Sequence, residues 1–144
     1  MKIIANDILF HEVVEQIGEG RNVLLRLQGN SMSPLLVGGR DIVELTPPVS
    51  ENVKKGAVVL FRHKGKYILH RIIAISGNRL IIMGDANTRA EHADMDDVVA
   101  VMCAVHRDGR IIGCDSRLWR LLSRLWMAVR PMRRIIMGVW RRVG

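Results

Sequence analysis

The sequence predicts a mostly β body with a short N-terminal helix and a helical C-terminal tail, and three observations lead there. Short runs rich in Val, Ile and Leu recur through the first 115 positions, separated by Gly, Pro and Asn turns. The pair Asp108-Gly109 stands between two such runs and is a strong two-residue hairpin signal. A chain of 144 residues can bury about two-thirds of its unfolded surface, enough for one self-sufficient core, and neither an internal repeat nor a low-complexity tract divides it.

Taken in order, Asn6 or Asp7 can cap a short helix whose Phe10, Val13, Val14 and Ile17 share a face, with Gly18 and Gly20 ending it. Strands are expected over 23–28, 41–45, 57–62, 67–75, 79–83 and 98–106, and Asp108-Gly109 returns the chain into 110–114. Gly38-Gly39 makes a turn and Thr46-Pro47-Pro48-Val49-Ser50 a stiff loop, neither of them a domain boundary. Asp115-Ser116 can cap a second helix, and Pro131 breaks or kinks it before a further segment from Met132 to Trp140. The chain therefore reads as a body over 1–115 and a tail over 116–144.

Three short stretches carry candidate chemistry. Gly29-Asn30-Ser31-Met32-Ser33-Pro34 places one hydroxyl in a small polar turn between apolar runs. His70 lies alone in the strand-like run from Lys66 to Ile73, where an imidazole is more often a packed residue than a base. A serine hydroxyl is a poor nucleophile at neutral pH, but a neighbouring imidazole can take its proton and return it to a leaving amine. Met83-Gly84-Asp85-Ala86-Asn87 is a turn after an apolar strand, and Asp in such turns usually bonds nearby backbone amides.

These stretches, with Gly56-Ala57-Val58-Val59-Leu60-Phe61 between them and His70-Arg71-Ile72-Ile73 as the third motif, resemble the S24/S26 superfamily of serine peptidases, which includes signal peptidase I and the self-cleaving SOS repressors. The resemblance covers roughly Val23 to Val105 and rests on four motifs in order. It implies a curled, antiparallel, barrel-like sheet and a serine peptidase with Ser31 as nucleophile. His70 stands where the bacterial enzymes have lysine and the endoplasmic-reticulum and sporulation types have histidine, so the match is to the histidine branch; Lys66 lies four residues too early to substitute. That branch has an acid six positions after the Asp of its Gly-Asp motif, which here is Glu91. The third catalytic member is open between Glu91 and Asp85, with Glu91 favoured.

The chain departs from the pattern at the oxyanion hole. Signal peptidases pair the nucleophile's amide with a hydroxyl two residues earlier, and that position is Gly29. The Ser31 amide then acts alone or with another group such as Asn30. Loss of one donor costs roughly 10²- to 10³-fold in turnover, so slow or selective catalysis is expected, and a catalytically weak or inactive peptide-binding module on the same scaffold is the alternative. Catalysis through His70 should decline below about pH 6.5 as the imidazole protonates.

Charge gives a second message. The body holds 14 basic and 14 acidic side chains, and the net charge of +8 comes from eight arginines after Ser116, beside all three tryptophans, Trp119, Trp126 and Trp140. On a helix, Arg117, Arg120 and Arg124 line one face and Trp119, Leu122 and Trp126 the opposite one. The uncharged runs 125–129 and 135–140 are far short of the ~20 residues that cross a bilayer. Lying flat, with tryptophans at the headgroups and each arginine adding about 1 kcal/mol at an anionic leaflet, the tail is expected to bind an anionic membrane surface reversibly; packing of its apolar face on the body or on a partner is the competing reading. A basic stripe also suits nucleic acid, but the body carries no recognition motif.

The 30 residues before Ser31 contain no signal peptide, no anchor like that of signal peptidases, and neither room for a DNA-binding domain nor the Ala-Gly or Cys-Gly pair that self-cleaving repressors cut. The expected setting is cytoplasmic, peripheral on the inner membrane face, and the expected substrate another polypeptide such as a leader-bearing precursor. Cys103 and Cys114 are expected as buried thiols. The histidines at 11, 63, 92 and 106 lack ligand spacing, so neither a metal nor another cofactor is expected.

Overall fold

Runs of β-branched and leucine side chains pair into strands wherever glycine-containing turns return them, and the described chain follows that rule. In the computed structural model, residues 3, 4, 10–27, 32, 35–86 and 90–129 are described, with side chains from His11 onward. They form β1 (Ile3–Ile4), α1 (Phe10–Gly18), β2 (Val23–Arg26), β3 (Asp41–Thr46), β4 (Val58–His63), β5 (Lys66–Ser76), β6 (Arg79–Met83), β7 (Glu91–Asp94), β8 (Val98–Arg107), β9 (Arg110–Gly113) and α2 (Arg117–Ala128). The body is mostly β, as the sequence predicts.

The strands join one sheet in the order β1-β2-β3-β8-β4-β5-β6-β7, with β9 on β8. Every pair is antiparallel except β1 with β2. Strand β8 is the hinge of the arrangement. One edge of it carries β3 from Thr46↔Val101 to Asp41↔Arg107, while its other edge is divided between β4 near Val98–Val101 and β9 from Ala104 to Arg107. Register shifts in β3 after Glu44, in β4 after Leu60 and in β5 between Ile72 and Ala74 bend these strands and add local twist. Among the described residues the sheet does not close on itself, since β1 and β7 end the pairing order.

Two hairpins turn on paired positive φ angles. Asp108 and Gly109 sit at φ 51° and 77°, and Lys64 and Gly65 at 51° and 76°, the left-handed pair that a two-residue turn of this hand requires. Strand β7 is the departure from expectation. Glu91-His92-Ala93-Asp94 has little strand propensity, yet it pairs along β6 from Ile82↔Glu91 to Arg79↔Asp94 and buries Ala93.

Side-chain alternation across β4 and β5 separates two apolar clusters. Val58 and Leu60, with Tyr67 and Leu69 against them, belong to one that includes Val13 and Ile17 of α1 and Trp119 of α2. Val59, Phe61 and Ile72 belong to the other, with Leu80, Ile82 and Ala93. The segment before β3 is fastened by Asp41, which is fully buried. Its carboxylate accepts from the Val37 amide at 2.8 Å and from Arg107 Nε at 2.8 Å, and Arg107 also donates to the Leu35 carbonyl at 2.7 Å. Burial pushes the Asp41 carboxyl up, but the bonds from Arg107, Arg40 and Val37 outweigh it and hold it below the usual value.

Candidate active site

His70 lies in the middle of β5 opposite Val59 of β4, on the face occupied by Phe61, whose ring centre is 6.3 Å from the imidazole. It is 5% exposed. Glu91 reaches it because Ile72, Ile82 and Glu91 form a row across β5, β6 and β7, and His70 is two residues before Ile72 on the same face. The Glu91 Oε2 atom lies 3.3 Å from His70 Nδ1. With the glutamate ionised, Nδ1 must carry the hydrogen and donate it, and that tautomer leaves the lone pair on Nε2. Burial holds the imidazole below its ordinary value of 6.5, outweighing the opposing pull of Glu91 and, more weakly, of Asp85. A neutral imidazole oriented by a carboxylate is the state a general base needs.

Asp85 has a different partner. Arg71 follows His70 and so projects to the opposite face of β5. There its Nε and Nη2 donate to the two Asp85 oxygens, both at 2.8 Å, and its Nη1 donates to the Gly56 carbonyl at 2.8 Å. Both side chains are fully buried. Each Asp85 oxygen thus accepts from one arm of a guanidinium fork, the arrangement that makes Arg–carboxylate pairs directional. The structure brings Glu91, and not Asp85, to His70.

The Gly84-Asp85-Ala86 turn is held from two further sides. The Asp85 amide donates to Met32 Sδ at 3.4 Å, and the Asp85 carbonyl accepts from Trp126 Nε1 of α2 at 2.9 Å. Met32 is 3% exposed and is the sequence neighbour of Ser31. Ser31 itself, with Gly29, Asn30 and Asn87, lies outside the described residues, as do the helix-capping candidates Asn6 and Asp7 and the tail from residue 130 on, Pro131 and Trp140 included.

Sequence reasoning left Arg71 and Trp126 without roles at this site. The signal for Arg71 was its position: a charged residue flanked by Leu69, His70, Ile72 and Ile73 needs a buried counter-charge. No local signal ties Trp126 to Asp85, 41 residues away. A second polar cluster sits at the β3–β8 pairing, where Glu44 accepts from Asn22 at 2.9 Å and lies 3.0 Å from His106 Nε2; the His106 contact, with help from Asn22, holds Glu44 below its usual value despite burial. Cys103 and Cys114 are free thiols, pushed up by burial to about 11 and about 12, and so are poor nucleophiles. Among the described residues no group of three or more His, Cys, Asp or Glu side chains could hold a metal ion.

Compared with known proteins, the chain matches no family model and no curated protein.

Proposed function

We propose that this protein is a serine endopeptidase in which His70, oriented by Glu91, activates Ser31 against a polypeptide such as a leader-bearing precursor. The observation that carries the reading is the buried imidazole with its Nδ1 3.3 Å from a carboxylate, where burial favours the neutral ring. In the proposed cycle Nε2 takes the Ser31 proton as the hydroxyl oxygen bonds to the scissile carbonyl carbon. The imidazolium, paired with Glu91, then gives that proton to the departing amine, and water repeats the sequence on the acyl-enzyme. With Gly29 in place of a hydroxyl donor, the Ser31 amide carries most of the oxyanion stabilisation, and turnover is slower by the factor of roughly 10²–10³ that one donor supplies.

The tail reading is carried forward with different contact residues. Trp119 and Trp126 are buried against the body, so they do not face lipid. Leu118, Leu121 and Leu125 are each more than half exposed and share a helix face by their spacing, beside Arg117, Arg120 and Arg124. This leucine stripe with its arginine flank is proposed to rest on the anionic inner membrane face, as a peripheral attachment. No helix among the described residues is long and apolar enough to cross a bilayer.

The test is co-expression of the chain with candidate precursor peptides, read by mass spectrometry of the products. Ser31→Ala and His70→Ala are each expected to lower cleavage by at least 10²-fold, with circular dichroism showing folded protein. Product persisting in folded Ser31→Ala protein removes the peptidase assignment, whereas precursor binding without cleavage in the unaltered chain leaves the peptide-binding module.

A further inference from the structure

Between α2 and the sheet lies a cavity of about 1000 Å³. Four cations stand around it: Lys54 and Lys55 from the loop before β4, and Arg120 and Arg124 one turn apart on α2. Among the described residues none of the four has an ion-pair partner, and the described lining holds a single carboxylate, Asp115. Ser123 lines the same cavity at 7% exposure. Among the described residues its Oγ is buried with no hydrogen-bond partner, the kind of orphan that in native structures marks a missing ion, water or ligand. Val58, Val101, Met102 and Trp119 supply an apolar wall.

We propose that this cavity binds a phosphate ester, with the phosphate among the two lysines, the two arginines and the Ser123 hydroxyl, and the organic part against the apolar wall. A single carboxylate is satisfied by one arginine fork, whereas a phosphate offers more acceptor oxygens and up to two negative charges to a ring of lysine and arginine donors. The volume is far larger than a phosphate alone fills, which selects an ester over the inorganic ion. Neither His70 nor Glu91 lines the cavity, so this site is separate from the proposed catalytic pair. The ester could be a soluble phosphomonoester or the headgroup of an anionic lipid, since both present the same group.

The full chain is titrated with sn-glycerol 3-phosphate by calorimetry and mixed with vesicles of phosphatidic acid or phosphatidylcholine, with acetate at matched ionic strength as control. Saturable binding is expected for glycerol 3-phosphate or for phosphatidic acid vesicles, weakened at least tenfold in Lys54→Gln/Arg124→Gln. Binding of the soluble ester assigns a metabolite-type ligand, and vesicle binding that is lost in Lys54→Gln/Arg124→Gln but kept in Leu121→Gln assigns a headgroup. Ser123→Ala is expected to raise the melting temperature of the ligand-free protein and to shrink the ligand-induced rise, a pair of opposite signs that a folding defect does not produce. The proposal is overturned by an equal response to acetate, or by absence of saturable glycerol 3-phosphate binding together with vesicle binding that is either absent or survives Lys54→Gln/Arg124→Gln.

Discussion

At the scale of single residues, the two acids near β5 separate by partner. Glu91 is 21% exposed and meets only an imidazole among its described polar contacts, whereas Asp85 is sealed in a pair with Arg71. Breaking a buried pair from one side leaves an uncompensated charge and costs about 3–5 kcal/mol. Asp85→Asn is therefore expected to lower unfolding stability by about that amount in urea melts, with activity lost in step with folded protein. Glu91→Gln is expected to keep its stability and lose turnover. It should also move the acid limb of the pH–rate profile to lower pH, because the glutamate opposes the effect of burial on His70. In the unaltered chain that limb is expected below the ordinary value of 6.5, lower than sequence alone suggests. Stability has a linked sign. The unfolded chain binds a proton at His70 near pH 6.5 while the folded chain resists it, so this residue removes stability as pH falls from about 6.5 towards the lower folded value and contributes nothing above. A Glu91→Gln protein that retains full turnover would sink the orienting role.

At the scale of elements, α2 is fastened to the turn that holds Asp85. Ser116 caps the helix by accepting from the Trp119 amide at 3.2 Å, and Trp119 enters the apolar cluster shared with α1 and β8. Trp126 then donates its indole hydrogen to the Asp85 carbonyl. Phenylalanine in its place keeps most of the buried area and deletes that donor, leaving a buried carbonyl short of one partner. Trp126→Phe is expected to cost about 1–3 kcal/mol in chemical denaturation and to speed hydrogen exchange of the Asp85 amide; unchanged exchange there would show that the helix does not brace the turn. The β4–β5 and β8–β9 hairpins were open to local reading because their turns demand residues that tolerate positive φ. The Lys64-Gly65 turn is the less obvious of the two, since lysine is not among the residues that favour that region.

At the scale of the whole molecule, charge is distributed by segment: a neutral body and a tail that carries the full excess of +8. The exposed Leu118, Leu121 and Leu125 and the neighbouring arginines define the face that the membrane proposal uses. Flotation with phosphatidylglycerol vesicles is expected at low ionic strength and to weaken in high salt, since the Debye length shrinks from about 10 Å at 0.1 M to 3 Å at 1 M. Leu121→Glu/Leu125→Glu should abolish flotation while leaving the fold intact, because both side chains are already exposed. Flotation unchanged in that variant would assign lipid contact to another part of the chain.

The sequence by itself determined the strands whose residues favour extended backbone, the turns that need glycine, the helix capped by Ser116 and the asymmetry of charge, because each depends on interactions within a few neighbouring residues. It also marked His70 as a polar residue inside an apolar run. Tertiary structure decided what lies beyond such reach. Strand β7 exists because β6 offers it an edge, not because Glu-His-Ala-Asp prefers extension, and that pairing is what carries Glu91 to His70. Alternation across one strand sent Arg71 to Asp85 on the other face. The tail helix carries two apolar stripes, tryptophan and leucine, and a helical period shows both without ranking them; the body received the tryptophans because it had the cavity-forming surface and the free carbonyl that they fit.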